Sequence, residues 1–114
     1  MEQKTTQQDR YAKDCIYAID FEPSTSTAAL PARSIHARYH QLTRSNMMEW
    51  GPSVVFLPLI GASEDAATIV ELLESIAFQG DIVVICPQLP KPQLVERELR
   101  GLGPGQRLRL VQEG

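Results

Sequence analysis

The chain has 114 residues, enough for one domain around one core. Its 43% apolar content is that of an ordinary folded protein, which sets aside a disordered chain. Eleven Lys and Arg against fourteen Asp and Glu leave a net charge of −3, which argues against nucleic acid or an anionic membrane as partner.

Residues 1–14 are polar, with little to bury, and read as a flexible tail. They lack the apolar stretch of a signal peptide, and no run approaches the ~20 apolar residues of a membrane span. A cytoplasmic protein is expected, with residues 15–114 as its single domain. Residues 15–21 (CIYAIDF) read as the first strand. Residues 22–32 (EPSTSTAALPA), rich in Ser, Thr and Pro, make a long loop more readily than a helix. Residues 33–42 alternate, with Ile35, Ala37 and Tyr39 on one face and His36, Arg38 and His40 on the other. That is the pattern of a half-buried or edge strand. Thr43 or Ser45 caps a short helix through Trp50, and Gly51 ends it.

Residues 53–59 (SVVFLPL) and 81–86 (DIVVIC) are continuous apolar runs, the signature of strands buried on both faces of a parallel sheet. Between them Ser63 is the expected helix N-cap, with Glu64 and Asp65 in the first turn, where the helix dipole favours acids. Ala66, Ile69, Val70, Leu73, Ile76 and Ala77 form one apolar stripe, and Gly80 is the expected residue past the helix end. Pro90 and Pro92 precede a last helix with Leu94, Val95 and Leu99 inward, stopped by Gly101, Gly103, Pro104 and Gly105. Residues 107–111 (RLRLV) alternate as a final strand, solvated on the side of Arg107 and Arg109. The order ββαβαβαβ implies parallel strands with right-handed crossovers. The expected fold is a three-layer, doubly wound α/β domain around a mostly parallel five-stranded sheet.

In this pattern the chain resembles the receiver domain of bacterial response regulators, over about residues 15–111. Residues 16–23 (IYAIDFEP) look like the hydrophobic-then-acidic first strand of receivers, whose acidic pair coordinates Mg²⁺. Here Asp20 and Glu22 stand nearby, and Phe21 takes one of the acidic positions. VVFLPL looks like the strand that ends in the phosphoaccepting aspartate, and the aligned residue is Pro58, which accepts no phosphoryl group. The Ser or Thr ending the fourth strand of receivers aligns near Cys86. The Lys-Pro pair after the fifth is absent, since Val111 runs into Gln112 and Glu113. The expected fold is thus receiver-like, truncated after its last strand; other flavodoxin-like or Rossmann-like folds share the pattern. Phosphoryl transfer needs a nucleophilic carboxylate, a Mg²⁺ held by acids, and a cation and a hydroxyl on the transferred group. Three of these four parts are missing. The resemblance therefore implies a degenerate, non-phosphorylated receiver: a regulatory or protein-interaction module without catalysis or cofactor.

Asp20 and Glu22 are candidate metal ligands, against the plainer reading of surface acids at a strand end. His36 and His40 would share a helix face, but in a strand they stand about 13 Å apart and read as surface residues. Cys15 and Cys86 lack a CxxC partner and read as buried, reduced thiols. Cys86, at a strand's carboxyl end, lacks a base nearby in sequence to make it a nucleophile. Met47, Met48 and Trp50 either close the core or form a docking patch. Gly61, Ala62 and Ser63 precede a helix, where free amides bind anions, but one glycine is too few for a phosphate loop. Arg100, Arg107 and Arg109 read as a solvated face rather than a basic patch.

Two uses of the fold follow. Arg107, Arg109 and Val111 mark an edge strand open to an unidentified protein partner, with a homodimer the simplest outcome. The rival is a small-ligand or enzymatic crevice built from Asp20, Pro58, Gly61, Ser63, Cys86 and Gln88. A third reading is a structural subunit completed by a partner chain.

Overall fold

The computed structural model describes residues 15–22 and 30–113. The expected tail (1–14) and most of the Ser/Thr/Pro-rich connection (23–29) lie outside the described residues. Five strands, β1 (Ile16–Ile19), β2 (Ile35–Ala37), β3 (Val54–Pro58), β4 (Asp81–Cys86) and β5 (Arg107–Gln112), form one parallel sheet in the order β2-β1-β3-β4-β5. The register places Ala18 beside Phe56, Phe56 beside Val83 and Val83 beside Arg109. The continuous apolar runs occupy the centre of the sheet, as expected of strands covered on both faces.

Helices α1 (Arg44–Trp50), α2 (Ala66–Ser75) and α3 (Pro92–Leu102) supply Met47, Ile69, Val70, Leu73 and Leu99 to one face, against Tyr17, Ile19, Val55, Leu57, Ile82 and Val84. On the opposite face Ile16, Ala18, Val54, Phe56, Val83 and Ile85 meet Phe21 and Leu30 from the β1–β2 connection. The chain leaves β1 in one direction and steps from β3 to β4 to β5 in the other. Crossovers of one hand must then pass over opposite faces, which is where Phe21 and Leu30 on one side and the helices on the other are found. The sheet is doubly wound in this sense.

Local signals explain much of this. Thr43 Oγ1 accepts the Asn46 amide to start α1, and Gly51 ends it in the left-handed region at φ 59°. Trp50 stacks on Tyr17 at 4.6 Å and ties α1 to the sheet. Pro92 opens α3, where its missing N–H costs nothing.

Four expectations are corrected. The second strand ends at Ala37, because the Arg38 amide turns to Gln41 Oε1 and the Tyr39 amide to Asp20 Oδ1, and residues Tyr39–Gln41 form a 3-10 turn. Of the face shared by Ile35, Ala37 and Tyr39, Ala37 is buried and Ile35 stands 48% exposed. The N-cap of α2 is Asp65, accepting the Thr68 amide, and not Ser63. The same helix stops at Ser75, and the reversal falls on Ala77 at φ 59° rather than on Gly80. The Phe78 amide then reaches Leu73 O and the ring enters the core. Gly80 is needed for space instead: a Cβ there would meet Ser53 O and the Phe78 ring. In α3 the inward arc runs through Val95, Leu99 and Leu102, leaving Leu94 42% exposed. No helix among the described residues is long and apolar enough to cross a membrane.

Candidate functional site at the strand carboxyl ends

Strand order reverses between β1 and β3, and in open α/β sheets the crevice outside such a reversal is where ligands bind. Asp20 fills it. It follows β1 directly, has φ 65° and is fully buried. Its Oδ2 accepts the Ser63 amide at 2.7 Å and the Glu64 amide at 2.8 Å. Its Oδ1 accepts the Ser63 hydroxyl at 2.7 Å and the Tyr39 amide at 3.2 Å. Its own carbonyl accepts the Ala62 amide at 2.7 Å. Four bonds on two oxygens use the acceptor capacity of a carboxylate. Burial pushes the Asp20 carboxyl up. The Ser63 hydroxyl and the Ser63, Glu64 and Tyr39 amides outweigh burial and hold it below the ordinary aspartate range.

Asp20 is therefore an internal anion, and two readings change. It is not a surface acid, and no lone pair remains to join Glu22, which is exposed, around a cation. Ser63 and Glu64, just ahead of α2, do bind an anion through their amides, but that anion belongs to the chain. Gly61 completes the cradle: a Cβ there would stand 2.7 Å from Asp20 Oδ2 and closer still to Glu64 O. The loop is also closed by the Gly61 amide on Glu64 O and the Ala66 amide on Leu59 O. The sequence holds the parts but not the link, because Asp20 and Ser63 lie 43 residues apart.

Beside this plug lies an apolar groove of about 280 Å³. Phe21, Pro58, Leu59, Ile85, Cys86 and Pro87 line it, Ile60 stands at its rim 76% exposed, and Glu22 and Glu113 flank it. Cys86 is buried, and burial, then the Glu113 charge, push its thiol up. A thiol so placed is a poor nucleophile. The six crevice residues thus divide. Asp20, Gly61 and Ser63 form the hydrogen-bonded plug, and Pro58 and Cys86 line the groove. Gln88 is exposed, its side chain directed at Glu113 O.

The other candidates are scattered. His36 on β2 and His40 in the 3-10 turn are both exposed. Among the described residues no three His, Cys, Asp or Glu gather in a way that could hold a metal ion. Cys15 precedes β1 and donates to Trp50 O, whereas Cys86 ends β4, so the thiols occupy opposite ends of a parallel sheet. Met47 is buried and Met48 is 79% exposed, so the methionine pair is split between core and surface. Arg107 pairs with Asp81 at 2.6 Å, and Arg100 with Glu96 at 2.6 Å, which partly neutralises the arginine face. Among the described residues β5 has a strand on one side only.

In comparisons with protein-family models, curated proteins and solved structures, none matches the chain.

Proposed function

We propose that this protein is a receiver-like regulatory module that takes no phosphoryl group and acts by protein interaction. The observation that carries the reading is the state of Asp20: all its acceptor positions are spent on residues 39, 63 and 64. A receiver's acid must instead present lone pairs to Mg²⁺. Pro58, in the position of the phosphoacceptor, offers no nucleophile. The small-ligand alternative loses its polar half to the same bonds, since Asp20, Gly61 and Ser63 already face one another.

The surface that supports interaction is the outer edge of β5, six residues long, carrying Arg107, Arg109 and Val111 and without a neighbouring strand among the described residues. An unpaired strand edge is a template for another strand. Pairing of two β5 edges gives a symmetric dimer. Amide NMR spectra with Mg²⁺ and beryllofluoride are expected to show no saturable change. Saturable shifts around Asp20 and Ser63 would overturn the reading. Sedimentation is expected to give a dimer that Val111→Lys converts to monomer, and a monomeric wild type would remove the edge dimer.

A further inference from the structure

The loop after β3 is held far more firmly than a helix connection requires. Ala62, Ser63 and Glu64 all donate to Asp20, Gly61 donates to Glu64 O, Leu59 donates to Ile85 O, and Ile60 bridges to Asp65. The anchor itself is a buried carboxylate at positive φ, an arrangement that costs free energy and persists where its surroundings demand it. What this holds in place is Ile60, a branched apolar side chain 76% exposed to water. Burial of such a side chain is favourable, so an apolar group that covers Ile60 together with the groove beside it gains from both.

Ile60 borders the groove of Phe21, Pro58, Leu59, Ile85 and Cys86. Among the described lining residues the charged side chains are Glu22 and Glu113, both acidic. At about 280 Å³ the groove lies just under the ~300–1,000 Å³ usual for small-molecule pockets, and a protruding side chain forms its rim. Both features suit a segment of polypeptide better than a free metabolite. The two acids repel nucleic acid and anionic lipid and attract a cation.

We infer that the groove beside Ile60 is a docking site for a basic-apolar segment of a partner protein. The segment places one large apolar side chain against Phe21, Pro58 and Ile60, with a neighbouring Lys or Arg between Glu22 and Glu113. Rigid presentation of Ile60 lowers the ordering cost of association. This site is separate from the β5 edge, so either can fail alone.

The test is a random dodecapeptide display library selected on the full-length protein, with the enriched peptides synthesised and titrated by NMR. Enriched sequences are expected to pair Leu, Ile, Met, Phe or Trp with adjacent Lys or Arg and to shift the amides of Ile60, Cys86 and Glu113. The double variant Glu22→Gln, Glu113→Gln should weaken binding at least about tenfold, and Ile60→Ser by a similar factor. These side chains lie on or near the surface, and unchanged thermal unfolding would show that the variants remain folded. No enrichment, acidic or uncharged consensus sequences, or shifts confined to β5 would overturn the inference. So would shifts at Ile60 that grow with protein concentration alone, since the occupant would then be a second copy.

Discussion

Asp20→Asn separates the charge of Asp20 from its shape. The amide has the volume of the carboxylate and tolerates φ 65°, since Asn enters the left-handed region readily. Its NH₂ must replace either Oδ2, where it would face the Ser63 and Glu64 amides, or Oδ1, where it faces the Tyr39 amide and the Ser63 hydroxyl. The second placement is the milder, because a hydroxyl can turn to accept. It still leaves the Tyr39 amide without its acceptor and makes every remaining bond neutral. Bonds to charged groups contribute roughly 1.5–3 kcal/mol each, and an orphaned buried group costs roughly 1–3 kcal/mol. The expected loss is about 2–3 kcal/mol for Asn. For Asp20→Ala, which removes all four bonds and disfavours the backbone, it is about 4–5 kcal/mol. Urea unfolding should show both as a lower midpoint at constant slope. The pH dependence gives a second reading. The folded carboxyl lies below its free-chain value of 3.8, so its contribution is complete above that value and disappears as pH falls through the lower folded value. Asn should flatten that acid limb. A loss under about 1 kcal/mol with the acid limb unchanged would refute the account of Asp20 as a saturated internal anion.

Other perturbations test neighbouring features. Gly61→Ala is expected to cost about 1–3 kcal/mol by overpacking against Asp20 and Glu64, and a neutral result in thermal unfolding would mean the loop can open. Met47→Ala should cost about 2–5 kcal/mol, whereas Met48→Ala, one residue on, should stay within about 0.5 kcal/mol. Equal losses would contradict the division of that pair between core and surface. Cys86 should resist alkylation at pH 8 in the native protein and react on unfolding, as followed by mass spectrometry. Rapid native labelling would show the thiol to be accessible.

What the sequence could disclose was what depends on near neighbours. The bounds of β4 follow from an apolar run between Gly80 and Pro87, and those of α1 from Thr43 and Gly51. Local sequence points to Ser63 as the N-cap of α2, and the cap is Asp65 instead because the Ser63 hydroxyl is spent on Asp20, 43 residues upstream. The reversal at Ala77 has no local marker either. It is set by Phe78 reaching the core, where packing overrides the preference of alanine for φ below zero. The groove had no local signal at all, since strands adjacent only in the sheet form it.

The two ends of the strand order are unequal. Among the described residues β2 presents three residues at one margin and β5 six at the other. A sheet able to grow equally from both margins adds copies without limit, the geometry of fibres. Here, joining two copies through β5 consumes the long margin of each and leaves only three-residue margins outside. In the proposed edge dimer, growth through the sheet would then stop at two copies, and the inequality in strand length would act as a terminator of assembly.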